Sequence, residues 1–407
     1  MKAAGDERRA LGTAKFEQRR REILDVASSQ MNVLGARGMT LTGVARELGL
    51  DTSSVTYYFR KKDDLAFCCM ERTLLWTREQ AATAARETTG SRVVESFIRA
   101  HLSLQRDSYP TDAPRYALLS DMHSMIGERR AMLTAIYVEV VSSLRGGLRI
   151  ADPERALAAT LVLLATVHWI PSWIGGYADG DISRAEARLL DILTTGLAGS
   201  PDWPSSAPPP EEPDLLDAQS RFLHAATTLI NRDGYHGASV EKIAAELGVS
   251  TGSFYHHLDN KNELVVACFR RSFALIDHAR IIGEEGGGTQ GDQLARTAAS
   301  LFRLQIEGLN PLLRTNAYQA LPPPLRRRML HRTEQMQRHF AGMIADGIAE
   351  RSIRAVDPLI ASRVFVSIIN AAADIRDWPT GASLAASLAA YLSILTDGLW
   401  GRGGRHR

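Results

Sequence analysis

The sequence has few of the residues that would mark a secreted, metal-binding or membrane-spanning protein. Only three of its 407 residues are cysteine, two of them adjacent (Cys68 and Cys69), so neither a disulfide framework nor a CxxC metal site is expected. The first residues carry charge but no apolar run, so we expect no signal peptide and a reduced, cytoplasmic environment. The most apolar stretch, from Ala156, is interrupted by His168 and Pro171, which favours a buried helix over a membrane span.

Excess charge of one sign is also lacking, since 48 basic and 46 acidic residues leave a net charge of +2. Taken over the whole chain, this near-neutrality argues against a protein coated in basic charge for wrapping nucleic acid. Sustained alternation of apolar and polar residues is absent too, so no strand is predicted. The composition is that of an ordinary globular protein, with 45% apolar residues, and the length is typical of two or three domains.

Proline divides the chain into two similar halves. Six of the sixteen prolines lie in Gly199–Asp214, a segment that predicts an extended, semi-stiff spacer. Residues 23–65 align with residues 222–264 at a constant offset of 199, with 13 identities in 43 positions. Near the ends of the halves, 152–173 matches 357–378 and 191–199 matches 393–401 in the same order. We interpret the chain as a tandem duplication.

The repeated block has the spacing of a helix-turn-helix. Apolar residues recur at helical spacing before a turn that contains Gly49 in one half and Gly248 in the other. Thr40 and Ser239 are suited to cap the helix before the turn, and Asp51 the one after it. The short second helix then presents small and polar side chains that can reach phosphates and base edges in a major groove.

This block resembles the tetracycline-repressor-like (TetR) family of bacterial regulators. VSTGSFYHHLDNKNEL in the second half is very close to that family's signature, and LDTSSVTYYFRKKDDL in the first half is a looser match. The resemblance implies an all-α fold of two tandem TetR-like units. Each has a three-helix helix-turn-helix head and an α-helical ligand-binding and dimerisation domain.

The resemblance also assigns DNA-contacting positions in both heads. These are Thr40, Thr52, Ser53, Thr56, Tyr57 and Lys62, then Ser239, Thr251, Gly252, Tyr255, His256 and Lys261. The first half departs from the family at Thr56, where a phosphate-binding tyrosine is usual, so the reach to a phosphate is shorter there.

The predicted domains follow from the repeat. They are a first head with a basic N-terminal arm (1–66), its helical domain (67–198), the proline-rich linker (199–214), a second head (215–265), its helical domain (266–401) and a basic tail (402–407). In the family the last two helices pair into a dimer. This chain is therefore expected to form either an intramolecular pseudo-dimer or a homodimer of whole chains.

The two heads differ in charge. Residues 12–64 hold nine basic and seven acidic side chains, a net +2, whereas 211–263 hold four and nine, a net −5. The first head also has a basic arm, and phosphate contacts raise affinity through counterion release. We therefore expect a repressor that binds a double-stranded DNA operator and is released by an apolar or aromatic effector. The alternative is a sensor or interaction protein in which one head alone binds DNA.

No nucleophile–base pair or metal constellation is evident, so we expect no enzyme, no cofactor and no metal. Cys69 and Cys268 occupy equivalent positions, and we expect small buried apolar side chains there rather than a redox sensor. The protein is expected in the bacterial cytoplasm, at the nucleoid when bound to DNA. The effector, its pocket and the operator are not specified by the sequence.

Overall fold

The fold is all-α in the part of the chain that the structure describes. The computed structural model describes residues 2–106, 115–119, 122, 125, 127–199, 203, 218–248, 260–308, 311–314, 317–318, 321–378 and 381–401. The helices of the first half are α1 (Lys2–Gly38), α2 (Leu41–Glu47), α3 (Thr52–Tyr58), α4 (Lys62–Ala84), α5 (Gly90–Ser103), α6 (Gly127–Gly147), α7 (Pro153–Trp169) and α8 (Asp179–Thr195). Those of the second half are α9 (Ala218–Gly237), α10 (Val240–Leu247), α11 (Lys261–Glu285), α12 (Gln290–Glu307), α13 (Pro323–Ala349), α14 (Pro358–Asp374) and α15 (Leu384–Asp397).

The chain forms two compact units. One comprises Met1–Arg78 with Pro110–Tyr137, and the other comprises Glu79–Tyr109 with Val138–Arg407. The predicted boundaries after residues 66 and 265 both fall inside a helix, α4 and α11. Each of these helices therefore starts in a head and runs on into the helical domain that follows it.

The first unit has its own apolar core, built where the helical stripe predicts it. Val44 and Ala45 of α2 are buried in one cluster with residues of α1 and α4, and Val55 of α3 is fully buried in it. Leu133 of α6 joins the same cluster. Apolar residues spaced three and four apart on these helices thus share one buried core, as is typical of amphipathic helices.

In the second unit, the predicted pairing helices of the two halves pack against each other. The most extensive contact is between α7 and α14; α7 also contacts α15, and α14 also contacts α8 and α15. Segments 153–172 and 358–377 are long and apolar enough to cross a membrane by length and hydropathy, but 72% of each is buried inside the protein. That burial agrees with the prediction of a core helix at Ala156–Val167. One polypeptide therefore supplies all four helices of this interface.

The two halves cross at a pair of equivalent glycines. Leu197 N–H donates to Leu395 O (2.9 Å), and Leu399 N–H donates to Leu193 O (2.8 Å), a reciprocal exchange at an offset of 202. Gly196 and Gly398 have φ values of 72° and 78°. A Cβ added to Gly196 would lie 2.3 Å from Thr396 O, and one added to Gly398 would lie 2.4 Å from Thr194 O. Only glycine permits this close approach and this backbone conformation.

Two arginines reinforce the crossing from opposite halves. Arg155 donates to Ser393 Oγ (2.8 Å) and to the carbonyl oxygens of Gly398 (2.7 Å) and Leu399 (2.9 Å). Arg354 pairs with Asp191 Oδ2 (2.7 Å). Burial lowers the pKa of Arg155, yet the carbonyl oxygens around it accept its N–H groups. These half-to-half bonds are charge-assisted and among the stronger kinds of hydrogen bond in proteins.

Two tryptophans are exchanged between the halves in the same manner. Trp400, beyond α15, donates from Nε1 to Leu148 O of the first half (3.0 Å). Trp203, beyond α8, donates from Nε1 to Ser352 O of the second half (2.7 Å) and is 8% exposed. Its indole fills the space beside Gly291, where a Cβ would lie 2.7 Å from Nε1. The segment predicted to be a spacer therefore includes one residue that is docked.

We predict that Gly398→Ala destabilises the chain by about 3 kcal/mol or more, because it adds both a steric clash and backbone strain. Gly381→Ala is the matched control, since Gly381 also has a positive φ (68°) but has no atom within 4 Å of the added Cβ. The control should lose only about 1–2 kcal/mol from backbone strain. Urea unfolding measures both, and equal losses for the two variants would contradict the close approach.

Candidate nucleic-acid interface

The first helix of the helix-turn-helix begins where it was predicted. Thr40 has an extended backbone, and its Oγ1 accepts a hydrogen bond from Gly43 N–H (2.9 Å) at the start of α2. Gly49, at the turn, has φ +66° and no neighbour within 4 Å of an added Cβ. Leu50 N–H then donates to Ala45 O (2.8 Å), which closes the turn onto α2. The predicted helix-turn-helix is present in the first half.

The recognition helix α3 presents its predicted residues outward. Val55 and Phe59 are buried beneath it, while Ser53 is exposed and Tyr57 is 74% exposed. Thr52 and Thr56 are half-buried. A tyrosine with this exposure is available to a partner, to which it offers both an aromatic ring and a hydroxyl group.

Two details of α3 differ from the sequence prediction. Asp51 lies at the N-cap position but its side chain makes no capping hydrogen bond, so the predicted cap is wrong. The Asp51 carbonyl accepts from Ser54 N–H instead (2.9 Å). The Thr56 hydroxyl donates to Ser53 O (2.9 Å), and a phosphate would have to compete for that proton.

An aromatic residue of α1 supports the recognition helix, and sequence analysis missed it. Phe16 packs against Tyr58 with ring centroids 4.7 Å apart, and its ring lies 6.2 Å from Tyr57 in an edge-on arrangement. Tyr57 and Tyr58 are themselves 5.2 Å apart. The sequence did offer a signal for this support, because Phe16 is a single aromatic residue in a charged segment. The rings of Phe16 and Tyr58 thus hold Tyr57 in place.

The predicted basic arm is part of α1, and its described cations are unequally engaged. Arg19 pairs with Glu22 (2.6 Å), and Arg20 lies over the Phe59 ring (5.3 Å). Lys15 and Arg21 are exposed. The side chains of Arg8 and Arg9 lie outside the described residues. Lys15 and Arg21 are thus the cations of this group best placed to meet a polyanion.

Lys62 begins α4, next to two acidic residues in the first turn. Asp64, one of them, pairs with Arg129 of α6. That ion pair takes up one negative charge next to Lys62. A helix N-terminus favours anions through its unpaired N–H groups, so Lys62 and the start of α4 can act on the same phosphate.

In the second head, the structure describes the first helix of the helix-turn-helix and the start of α11, but not the recognition segment between them. Ser239 Oγ accepts from Lys242 N–H (3.2 Å) at the start of α10, as predicted, and Gly248 follows α10 with φ +66°. Lys261 begins α11, where the Asn260 side chain accepts from Glu263 N–H (3.1 Å). The remaining predicted DNA-contacting residues lie outside the described residues: Thr251, Gly252, Tyr255 and His256.

An asparagine joins each head to the segment that follows its α5 or α12. Asn32 accepts from Leu118 N–H (2.7 Å) and donates to Tyr116 O (2.9 Å). Its equivalent, Asn231, accepts from Arg314 N–H (2.9 Å) and donates to Leu312 O (2.9 Å). The identity of Asn32 and Asn231 in the internal alignment was a signal for this joint that sequence analysis did not use. Each asparagine thus fixes α1 or α9 of its head to the segment that follows α5 or α12.

The equivalent cysteines on α4 and α11 are inert groups. Cys69 and Cys268 are fully buried, and burial raises the pKa of their thiols to about 11 and about 12. Each lies 3.7 Å from a backbone carbonyl of the helix it packs on, Leu24 O or Leu223 O. Since thiolate is the reactive form, the geometry favours packing over redox sensing. Within the described ranges, no group of three or more His, Cys, Asp or Glu side chains could hold a metal ion.

Comparison with known proteins agrees with this geometry. Residues 222–268 match the family model described as "Bacterial regulatory proteins, tetR family". The chain is 27% identical over 143 residues to the HTH-type transcriptional repressor DrrR1 of Streptomyces coeruleorubidus, covering 34% of this chain and 48% of DrrR1. It is 34% identical over 67 residues to the transposon Tn10 TetC protein of Escherichia coli, covering 16% of this chain and 34% of TetC.

Among solved structures, the chain is similar to the transcriptional regulator FadR of Bacillus subtilis in complex with stearoyl-CoA. The TM-score is 0.38 and the identity 21%, over 44% of this chain and 98% of the other. The chain thus spans about half the length of DrrR1 and about a third of TetC.

Removing the Thr40 hydroxyl should loosen the start of α2. We predict that Thr40→Ala lowers the free energy of unfolding by about 1 kcal/mol, because Gly43 N–H loses its acceptor. The matched control is Thr42→Ala, two residues further on, where the threonine is exposed and lies inside α2. The control should change stability by less than about 0.5 kcal/mol. Thermal or urea unfolding gives both values, and identical losses would show that Thr40 is not a cap.

Proposed function

We propose that this chain, which belongs to the TetR family of bacterial regulatory proteins, is a DNA-binding repressor that carries both heads of a regulator in one polypeptide. The pairing of α7 and α8 with α14 and α15 within the chain is the observation that carries this proposal. The name of DrrR1, a transcriptional repressor, supports repression over activation. We place it in the bacterial cytoplasm, at the nucleoid when it is bound to DNA.

The first head has the features that DNA binding needs. Ser53 and Tyr57 are exposed on a short helix held against a buried core, and Lys62 stands at the start of the next helix. Exposed cations on α1, Lys15 and Arg21, can follow the phosphate backbone. Side chains on the recognition helix would then read base edges in the major groove.

A duplicated chain would read an operator of two unlike half-sites. In a regulator built of two identical subunits, the operator is palindromic because the protein is symmetric. Here the recognition segments differ in sequence, with Thr56 and Tyr57 in one head where the other has Tyr255 and His256. Half-sites about one helical turn apart, roughly 34–36 Å, are expected to differ accordingly.

Release from DNA would follow from linkage between an effector and the spacing of the heads. A small apolar or aromatic molecule in a helical domain weakens DNA binding only if it binds the two head arrangements unequally. A tenfold loss of operator affinity requires about 1.4 kcal/mol of such coupling. Helices α4 and α11, together with the joints at Asn32 and Asn231, would transmit it, because they run between head and helical domain.

A second candidate is a sensor in which the first head alone binds DNA. The charge difference favours it, since the first head carries a net +2 and the second a net −5 over equivalent windows. A negatively charged module meets an unfavourable field at the phosphate backbone.

Variants of each head distinguish the two candidates. A DNA site is first selected from a random duplex pool with the full-length chain, and its affinity is then measured at fixed salt. Tyr57→Ala should weaken binding by about 1–3 kcal/mol, whereas Tyr57→Phe keeps the ring and should lose less. Tyr255→Ala with His256→Ala should cost a further loss of similar size if both heads read DNA.

Three results bear on the proposal. A selected site with two unlike half-sites, weakened by variants of either head, supports the two-headed repressor. Weakening by Tyr57→Ala together with full affinity for the Tyr255/His256 variant would establish the second candidate. Selection of no DNA site by a folded chain would contradict both, and circular dichroism of each variant checks that it is folded.

A further inference from the structure

The last residue of α7 is a tryptophan that packs against the core of the second head. Trp169 is half-buried and lies against the apolar cluster that includes Ala226 and Leu229 of α9 and Leu264 and Phe269 of α11. The other members of that cluster all belong to the second half, between residues 222 and 329. Among the described residues, Trp169 is therefore the one side chain that the first half contributes to this core.

The helix that carries this tryptophan is held firmly along its length. Residues 156–167 of α7 are all buried, and the helix contacts both α14 and α15. At its start, Arg155 donates to Ser393 Oγ (2.8 Å) and to Gly398 O (2.7 Å) of the second half. A helix packed in this way moves as a rigid element, because close-packed side chains leave little free volume for local motion. The pairing of the two halves thus sets the position of Trp169.

A second contact ties the second head to the same end of the paired helices. Arg314, in the segment after α12, pairs with Asp374 Oδ1 at the end of α14 (2.8 Å). The backbone N–H of Arg314 also donates to the side chain of Asn231 in α9 (2.9 Å). The turn Ile375–Asp377, directly after α14, contacts α7. Arg314 therefore links α9 of the second head to the end of α14, which is itself in contact with α7.

The first half has different residues at the positions of this ion pair. Leu118 is the counterpart of Arg314, because its backbone N–H donates to the equivalent asparagine. Trp169 is the counterpart of Asp374, because each is the last of the 17 residues of its helix. A leucine and a tryptophan cannot form an ion pair. The divergence of the two halves has thus placed an apolar contact with the opposite head where the second half has a bond within itself.

The apolar cluster of the first head has no member from the second half. Within the part of the chain that the structure describes, it consists of residues between 23 and 137. The compact units have the same asymmetry, since the second head belongs to the unit that holds the paired helices and the first head belongs to the other unit. The contact made by Trp169 therefore has no counterpart among the described residues of the first head.

We propose that Trp169 is a positioning residue for the second head, through which the helical domain of the first half fixes the place of that head. In a dimer of identical subunits such a contact would occur at both heads, whereas the duplicated chain makes it at one. The inference goes beyond the proposed function, because it assigns control of the second head to the opposite half of the chain. Its consequence for DNA binding rests on the proposed function.

Hydrogen exchange of the full-length chain, without DNA, tests the positioning. Trp169→Ala removes the indole, and the amides of α9 and of the start of α11 should then exchange roughly tenfold faster, because the head opens more readily without this packing contact. Trp169→Phe keeps an aromatic ring and should give a smaller increase in the same segments. The amides of α1, α2 and α3 in the first head should exchange at the wild-type rate in both variants.

The matched control is Trp173→Ala. Trp173 is also half-buried and lies four residues further along the chain, but its ring packs against the guanidinium group of Arg363 (4.6 Å). This variant should leave the exchange of α9 and α11 unchanged. Wild-type exchange of α9 and α11 in a folded Trp169→Ala chain, or equal acceleration in both heads, would overturn the inference. If Trp169→Ala does not fold, Trp169→Phe decides by the same criterion.

A second measurement uses the DNA site selected with the wild-type chain. About five base pairs, half a helical turn, are inserted between its two half-sites. The wild-type chain should lose roughly tenfold in affinity, whereas Trp169→Ala should lose less than about threefold, because a head without a fixed place tolerates a changed spacing. Equal losses would overturn the inference. A selected site with one half-site would contradict the two-headed repressor, and hydrogen exchange alone would then decide the positioning.

Discussion

The close approach of two backbone segments at Gly196 and Gly398 is the constraint on which the rest of the second unit depends. At each crossing the added Cβ of any other residue would meet a carbonyl oxygen at 2.3–2.4 Å, so the helices α8 and α15 can end only where glycine stands. The reciprocal hydrogen bonds of Leu197 and Leu399 then join the halves, and the apolar faces of α7 and α14 bury each other. Since both partners belong to one chain, their effective concentration is high at any dilution of the protein.

Covalent pairing removes the requirement that the two halves be alike. Two identical subunits must carry identical heads and identical pockets, whereas two halves of one chain can diverge independently. The first half has the more basic head, with a net +2 in its window. The second has a net −5 in the head window and four fully buried aromatic rings in its helical domain: Phe302, Phe340, Phe365 and Tyr391. The near-neutral charge of the whole chain is thus an average over unlike parts.

Local features of the heads could be predicted from the sequence because short-range rules govern them. The caps at Thr40 and Ser239, the turn at Gly49 and the buried Val44 and Ala45 follow from residue type and spacing. The presence of an all-α fold and the buried character of α7 followed from the absence of strand patterns and from the break at His168 and Pro171.

The remaining features depend on partners distant in the chain, which residue type and spacing do not reveal. Trp203 is docked because Gly291 and Ser352 O lie beside it, although its neighbours in sequence predict a spacer. Phe16 contacts Tyr57, which is more than forty positions away, and His168 is exposed directly after the buried stretch Ala156–Val167. Asp51 shows the converse, since a good capping residue at the right position makes no capping bond.

The mass of the chain in solution, free and with its selected DNA site, tests the central claim most directly. Multi-angle light scattering across a hundredfold range of concentration should give one chain of 44.6 kDa throughout, because the pairing helices are already occupied by each other. The DNA complex should contain one chain per duplex. A free mass twice as large, or two chains on one site, would show that the pairing surfaces join separate chains and would contradict the account.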